Sequence, residues 1–264
     1  MSQSLLERVN VYFEDAGCKT DPTGLSKLAS EGASVAVKAG AVASALVFGE
    51  ILTPEDIFRL LSLEQGDIFY DLGSGRGQVV LAAALTSKPK KCVGIELMEP
   101  RHQAALAAKA CAPEDIQRTC EFRCEDALAC HLEDACKVYL CNAAFPRHLN
   151  AAFAGALDPQ RAPALEALVT CAALPEESLH QARLQLTQVA ECSATWATQG
   201  APLFLYKRDG DGIRSAGGTT AIPANVRYEA SRQLSAATHS AGLSHEDERS
   251  LLRSAVLASK FALQ

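Results

Sequence analysis

A chain of 264 residues, 48% hydrophobic and 21% charged, has the composition of an ordinary globular protein and the length for one large core. Its net charge of -6 lacks the basic footprint of an independent nucleic-acid binder, although an acidic surface suits a basic protein partner. Apolar runs are broken by charges before the roughly 18 residues that a membrane span needs, and the first ten residues carry Glu7 with no apolar signal core, so no membrane partner and a cytoplasmic setting are expected from composition alone.

Residues 2–45 read as an Ala/Leu-rich helical cap, broken by the turn cluster Lys19-Thr20-Asp21-Pro22-Thr23-Gly24. Thr53-Pro54-Glu55-Asp56 has a capping residue, a proline at the first helical position and two acids in the first turn, and opens a helix through Leu61. Strands and helices then alternate: a strand at 67–71, a helix at 75–86, a strand at 91–96, a helix at 100–111, and strands at 119–123 and 137–141. A helix at 146–157 follows, then strands at 165–172, 184–196 and 203–207, the last two forming an antiparallel pair. Such alternation predicts an α/β fold, a mostly parallel sheet with helices on both faces and right-handed crossovers. After Arg208 the Gly/Asp/Ser-rich stretch 209–223 reads as a flexible linker, and 224–264 as a helical tail whose clearest cap is Ser244-His245-Glu246-Asp247. The expected organisation is a cap at 1–52, a sheet domain at 53–208, the linker and the tail.

Ten cysteines invite a disulfide or zinc reading. No Cys-x-x-Cys pair occurs and several thiols sit inside apolar runs, so reduced structural cysteines and no metal are predicted.

Chemistry concentrates at Asp71-Leu72-Gly73-Ser74-Gly75-Arg76-Gly77-Gln78, between the apolar strand Ile68-Phe69-Tyr70 and an apolar helix. Glycines let the backbone turn sharply and approach a ligand at the helix N-terminus. A dinucleotide fingerprint has G-x-G-x-x-G; here the third glycine comes one residue early, and the acid Asp71 precedes the turn. An acid repels a pyrophosphate and suits an ammonium, which the methionine end of S-adenosyl-L-methionine carries. Nineteen residues beyond Gly77, Glu96 ends the next strand, where a carboxylate accepts ribose hydroxyls, whether of this nucleoside or of NAD. Asp126, after the third strand, is placed to meet an adenine amino group. Asn142, just past the fourth strand, either holds the methionine end, steers an amine lone pair, or caps the helix that begins at Pro146.

These segments resemble the disruptor-of-telomeric-silencing (Dot-one) family, the histone H3 lysine methyltransferases that lack a SET domain. Val47-Phe48-Gly49-Glu50 resembles the family's V-Y-G-E loop, and 71–81 its D-L-G-S-G-x-G-Q-V-V-L. Gly94-Ile95-Glu96 resembles its G-V-E, and Asn142-Ala143-Ala144-Phe145 its N-x-A-F. The pair Ser193-Ala194-Thr195-Trp196 and Pro202-Leu203-Phe204-Leu205-Tyr206 resembles its late hairpin, with Leu205-Tyr206 in place of two tyrosines.

The resemblance implies a Rossmann-like class I methyltransferase with a helical N-terminal cap. It implies cofactor contacts from Phe48, Glu50, Asp71, Gly73, Ser74, Gly75, Gly77, Gln78, Glu96, Asp126 and Asn142, a catalytic role for Asn142, and a lysine channel lined by Phe145, Trp196 and Tyr206. The implied activity is methyl transfer to a core-domain lysine of histone H3, with H3 or the nucleosome as partner and the nucleus as location. The alternatives are a methyltransferase acting on a non-histone protein, a nucleic acid or a small molecule, and a cofactor-binding module without turnover; Cys141, Ala143 and Leu205, which depart from the family pattern, point to the last.

Overall fold

The computed structural model describes residues 4–18, 51–143, 145–194 and 197–208. The chain divides into two units, 1–217 and 218–264, and every described residue lies in the first. The linker and tail expected at 209–264 therefore lie outside the described residues, as do most of the cap and the loop with Phe48 and Glu50.

The elements are α1 (Leu5–Asp15), α2 (Pro54–Leu61), β1 (Ile68–Leu72), α3 (Gln78–Thr86), β2 (Lys91–Glu96), α4 (Glu99–Cys111), α5 (Glu114–Thr119) and β3 (Cys120–Cys124). They continue with β4 (Lys137–Leu140), α6 (Arg147–Ala156), β5 (Ala167–Thr170), α7 (Glu176–Ala182), β6 (Leu184–Ala194) and β7 (Ala197–Arg208). One seven-stranded sheet runs in the order β3-β2-β1-β4-β5-β7-β6. The first five strands are mutually parallel, and β7 inserts antiparallel between β5 and β6. The central strands are buried on both faces, which is why β1, β2, β4 and β5 read as apolar runs and not as alternating ones. The order reverses between β1 and β4, the place where α/β sheets open a crevice beyond their carboxyl ends.

One face carries Phe69, Cys92, Phe122, Tyr139, Val169 and Leu205, packed with Val80, Leu81, Ile57, Phe58 and Ala105 from α3, α2 and α4 in a single core. Helix α1 closes that core with Leu5, Val9 and Phe13, one residue per turn at four-residue spacing. Its start is a capping box: Glu7 N donates to Ser4 Oγ at 3.2 Å and Ser4 N to Glu7 Oε2 at 2.7 Å. On the opposite face Tyr70 donates to Asp134 Oδ1 at 2.7 Å, and Arg161 donates to the carbonyls of Ala127, Leu128 and Cys130, which pins the loop that crosses there.

Several boundaries differ from expectation for identifiable reasons. The glycine loop consumes residues through Gly77, so α3 begins at Gln78 and not at 75. Thr53 precedes α2, yet its hydroxyl caps no backbone amide; it donates to Asp56 Oδ2 at 2.6 Å and accepts from Ser193 N at 3.1 Å, tying the helix to β6. Helices α5 and α7 were not expected, although each follows a proline and opens with two acids, Glu114-Asp115 and Glu176-Glu177. The last strand begins at Ala197, six residues before the expected 203.

Two glycines set how closely the layers approach. A β-carbon on Gly94 would lie 2.7 Å from the Phe122 ring and 2.7 Å from Ser74 Oγ, whereas one on Gly66 would meet nothing within 4 Å. Gly94→Ala is therefore expected to lower the unfolding free energy by about 1–3 kcal/mol through overpacking, and Gly66→Ala to leave it within about 0.5 kcal/mol; urea denaturation of the two variants checks the contrast.

Candidate active site

Between β1 and α3 the backbone makes a turn bonded almost entirely to its own surroundings. Gly73 N and Ser74 N both donate to Ile95 O, each at 2.8 Å, and Gly77 N donates to Ser74 O at 2.9 Å. Gly75 N donates to Glu96 Oε2 at 2.8 Å, while Glu96 Oε1 accepts from Met98 N at 2.8 Å. Gly73, Gly75 and Gly77 hold φ values of +83°, +56° and +85°, which L side chains adopt only with strain. With four of its amides committed in this way, the turn is not a cradle of free N–H groups for a pyrophosphate. Glu96 is buried and joins the ends of β1 and β2; each of its oxygens accepts one backbone bond and keeps a further lone pair.

What the turn offers is side-chain polarity. Of five buried side-chain polar atoms without a protein partner among the described residues, three belong to it: Asp71 Oδ1, Ser74 Oγ and Arg76 Nη1. A buried polar group without a partner costs about 1–3 kcal/mol, so such a cluster marks a place where a ligand completes the bonding. Burial, then Cys141 and Glu96 nearby, raises the carboxyl of Asp71 well above the usual carboxylate range. An ammonium brought to Asp71 Oδ1 reverses that penalty, so these residues fit the amino-acid end of S-adenosylmethionine.

Two opposite pH trends follow. Because the folded-state value is raised, the contribution of Asp71 to stability is complete below its unfolded value and is lost as pH rises through the folded one. Affinity for a cationic ligand end runs the other way. Asp71→Asn is expected to stabilise the ligand-free protein at neutral pH and to weaken S-adenosylmethionine binding about ten- to a hundredfold, the loss of a hydrogen bond to a charged group; thermal unfolding and calorimetric titration across pH measure the two effects.

The opposite flank of the turn is held by α1. The Arg76 guanidinium lies 4.6 Å from the centre of the Phe13 ring, and its Nη2 donates to Cys18 O at 3.1 Å. Gln78, expected among the cofactor ligands, is buried and donates from Nε2 to Asn10 Oδ1 at 3.0 Å. Its amide therefore fastens α1 to α3, a role that nothing near Asn10 in the sequence signals. Asp126 is exposed beyond β3, where Oδ1 accepts from Leu128 N at 2.8 Å and its carbonyl from Ala129 N and Cys130 N, each at 2.9 Å. It shapes the turn that follows a strand lying beside Glu96.

Asn142 corrects the catalytic expectation. Its side chain has no exposed surface, and all its bonds are internal. Nδ2 donates to Asn150 Oδ1 at 2.7 Å and to Ala172 O at 3.0 Å, and Oδ1 accepts from Cys171 N at 2.9 Å and Ala172 N at 2.7 Å. Four partners exhaust a carboxamide, so neither a ligand nor an amine finds a valence there. The residue fixes the carboxyl end of β4 to that of β5 and to α6, and it does not cap the helix, whose start has no side-chain cap. Asn142→Ala is expected to destabilise the fold by roughly 2–4 kcal/mol, since the buried amide of Cys171 and the partly buried amide of Ala172 lose their acceptor. Asn142→Asp is not expected to restore stability because it lacks the donor; chemical denaturation distinguishes these outcomes.

The two described aromatics expected to line the channel are each engaged within the protein. Phe145 is partly buried and stacks on Phe153 with ring centres 5.5 Å apart. Tyr206 is buried in β7, where its oxygen accepts from Leu174 N at 2.9 Å, and burial pushes its pKa up to about 12. A phenol so enclosed holds the loop after β5 and presents no wall to an open channel. Trp196 lies outside the described residues. Sequence reasoning missed Ser74's packing partner Gly94, the Asn150 bond to Asn142, and the thiols Cys141 and Cys171 beside Tyr139; Tyr139 Oη and Cys171 Sγ are 3.3 Å apart.

Sheet order and switch-point turn give the class, a Rossmann-like methyltransferase fold, and the unmatched polar atoms of the turn fit S-adenosylmethionine as its cofactor. Within that class, residues 33–122 match the family model described as histone methylation protein DOT1, which bears out the resemblance over that segment. A protein-lysine N-methyltransferase of Saccharolobus islandicus (strain REY15A) is 41% identical over 59 residues, 21% of this chain and 37% of the relative. The match thus spans little more than a third of the relative's length. Among solved structures, an RNA methyltransferase from Salinibacter ruber in complex with S-adenosyl-L-homocysteine has a TM-score of 0.47 at 19% identity, covering 61% of this chain and 94% of that one. Magnesium protoporphyrin IX methyltransferase from Synechocystis PCC 6803 with bound cofactor has a TM-score of 0.47 at 13% identity, covering 79% and 99%. At such identities the substrates of those enzymes have no bearing on this chain.

Proposed function

We propose that this protein transfers a methyl group from S-adenosylmethionine to the ε-amine of a lysine in a protein, with histone H3, free or in the nucleosome, as the substrate and the nucleus as the place of action. The observation that carries the reading is the buried carboxylate of Asp71, left without a protein partner in a turn that spends its amides on itself. Beside it stand the family match over residues 33–122 and the partial similarity to the protein-lysine N-methyltransferase of Saccharolobus islandicus.

When bound, the cofactor supplies a methyl group already activated on a sulfonium. Asp71 would hold the methionine ammonium, and Glu96 has lone pairs left for ribose hydroxyls. The protein's remaining task is to align a neutral amine and to shed water from it, which lowers the amine's pKa; alignment alone contributes several kcal/mol. Asn142 enters as a positioning residue, through the strand ends that it joins.

A second reading, a cofactor-binding module without turnover, is favoured by the enclosure of Tyr206 and by the exhausted amide of Asn142. The test offers labelled S-adenosylmethionine with nucleosomes, free core histones and a cell lysate in parallel, with Gly75→Arg as the blank. Label on a lysine of H3 that vanishes in the blank supports the proposal. Label only on another protein overturns the histone substrate and keeps lysine methylation; tight cofactor binding with no label anywhere overturns transfer and leaves the module.

A further inference from the structure

Parallel strands β4 and β5 run in register through Leu140 and Thr170, so the next residues, Cys141 and Cys171, stand opposite each other at the carboxyl edge. Neighbouring strands lie about 4.8 Å apart, within the Cα separations of about 4.4–6.8 Å that a disulfide spans. Tyr139, two residues before Cys141 on the same face, reaches Cys171 Sγ with its hydroxyl oxygen at 3.3 Å. Asn142 clamps the pair by accepting from Cys171 N, so neither strand end is free to drift away. The partners also differ in access: Cys171 is buried, whereas Cys141 is only partly so. The other in-register pair, Cys92 and Cys120, is buried at both sulfurs.

We propose that Cys141 and Cys171 form a redox-active dithiol at the edge of the cofactor site, which closes to a disulfide by exchange with a small-molecule disulfide. Hydrogen bonds from Cys171 and Tyr139 and the Ala143 amide hold the Cys141 thiol below its usual range against the opposing effect of burial, and the same pairing pushes Cys171 up. Cys141 is accordingly the attacking thiolate. It attacks one sulfur of the reagent, whose S–S bond breaks, and one thiol leaves with the proton that Cys141 gave up. Cys171 then gives up its proton and attacks the Cys141 sulfur, and the second reagent thiol departs with that proton. Two protein thiols are oxidised to one disulfide, and one reagent disulfide is reduced to two thiols.

The test treats the folded full chain with oxidised glutathione, alkylates the remaining thiols and maps every cysteine by mass. The expected result is a Cys141–Cys171 disulfide that a thiol reductant reverses. In Cys171→Ser the reaction stops at a glutathione adduct on Cys141; in Cys141→Ser, Cys171 stays free, exchanging about tenfold more slowly or less. Circular dichroism of both variants establishes that each is folded before mapping. The exposed Cys111 and Cys124 act as internal clocks. If both have exchanged while Cys141 and Cys171 remain alkylatable, or if the unaltered chain holds a Cys141 adduct that never resolves, the dithiol is overturned. Thiol mapping requires no methyl transfer, so failure of the proposed activity leaves this result intact.

Discussion

The carbonyl of Ile95 and the carboxylate of Glu96, adjacent at the end of β2, organise the β1–β2 side of the sheet's carboxyl edge. Ile95 O receives the amides of Gly73 and Ser74, and Glu96 receives those of Gly75 and Met98. Backbone donors in a sharp turn must be satisfied somewhere, and here a neighbouring strand satisfies them. Two consequences follow together. The turn is rigid before any ligand arrives, and the ligand meets side chains and bare glycine surface instead of a row of amides. That is how a glycine-rich turn resembling a dinucleotide loop serves a cationic ligand end.

Much of this was legible in the sequence because it rests on short-range rules. The acid before the glycines, the early third glycine and the acid nineteen residues on specify the switch-point crevice, and apolar runs bounded by turns mark the parallel strands. The roles of individual polar side chains were less legible. Asn142 and Gln78 occupy motif positions, yet their amides point into bonds with residues 8, 29, 30 and 68 positions away. Tyr206 likewise spends its hydroxyl on Leu174. Spacing along a chain states which strand end a residue occupies; it does not state whether a neighbour has already taken its hydrogen bonds.

The carboxyl edge therefore divides its labour. On the β1–β2 side, polar atoms of Asp71 and Ser74 remain unmatched by protein; on the β4–β5 side, Asn142, Thr170 and Tyr206 are matched throughout. The side with unmatched atoms raises the energy of the ligand-free protein, and the matched side supplies the rigidity that holds them in place. The departures Cys141 and Leu205 from the family pattern fall on the matched side.

Helix α1 bears on the site although none of its residues belongs to the motifs. Through Asn10 with Gln78 and Phe13 with Arg76, joined by Cys18 just past its end, it grips the turn and the start of α3 from a position about sixty residues away in sequence. A ligand that binds the turn more tightly when α1 is docked links its own binding to that docking, and linkage is reciprocal. Such a ligand favours the docked helix by the same free energy, so amide protons of α1 become reporters of a site that they do not touch.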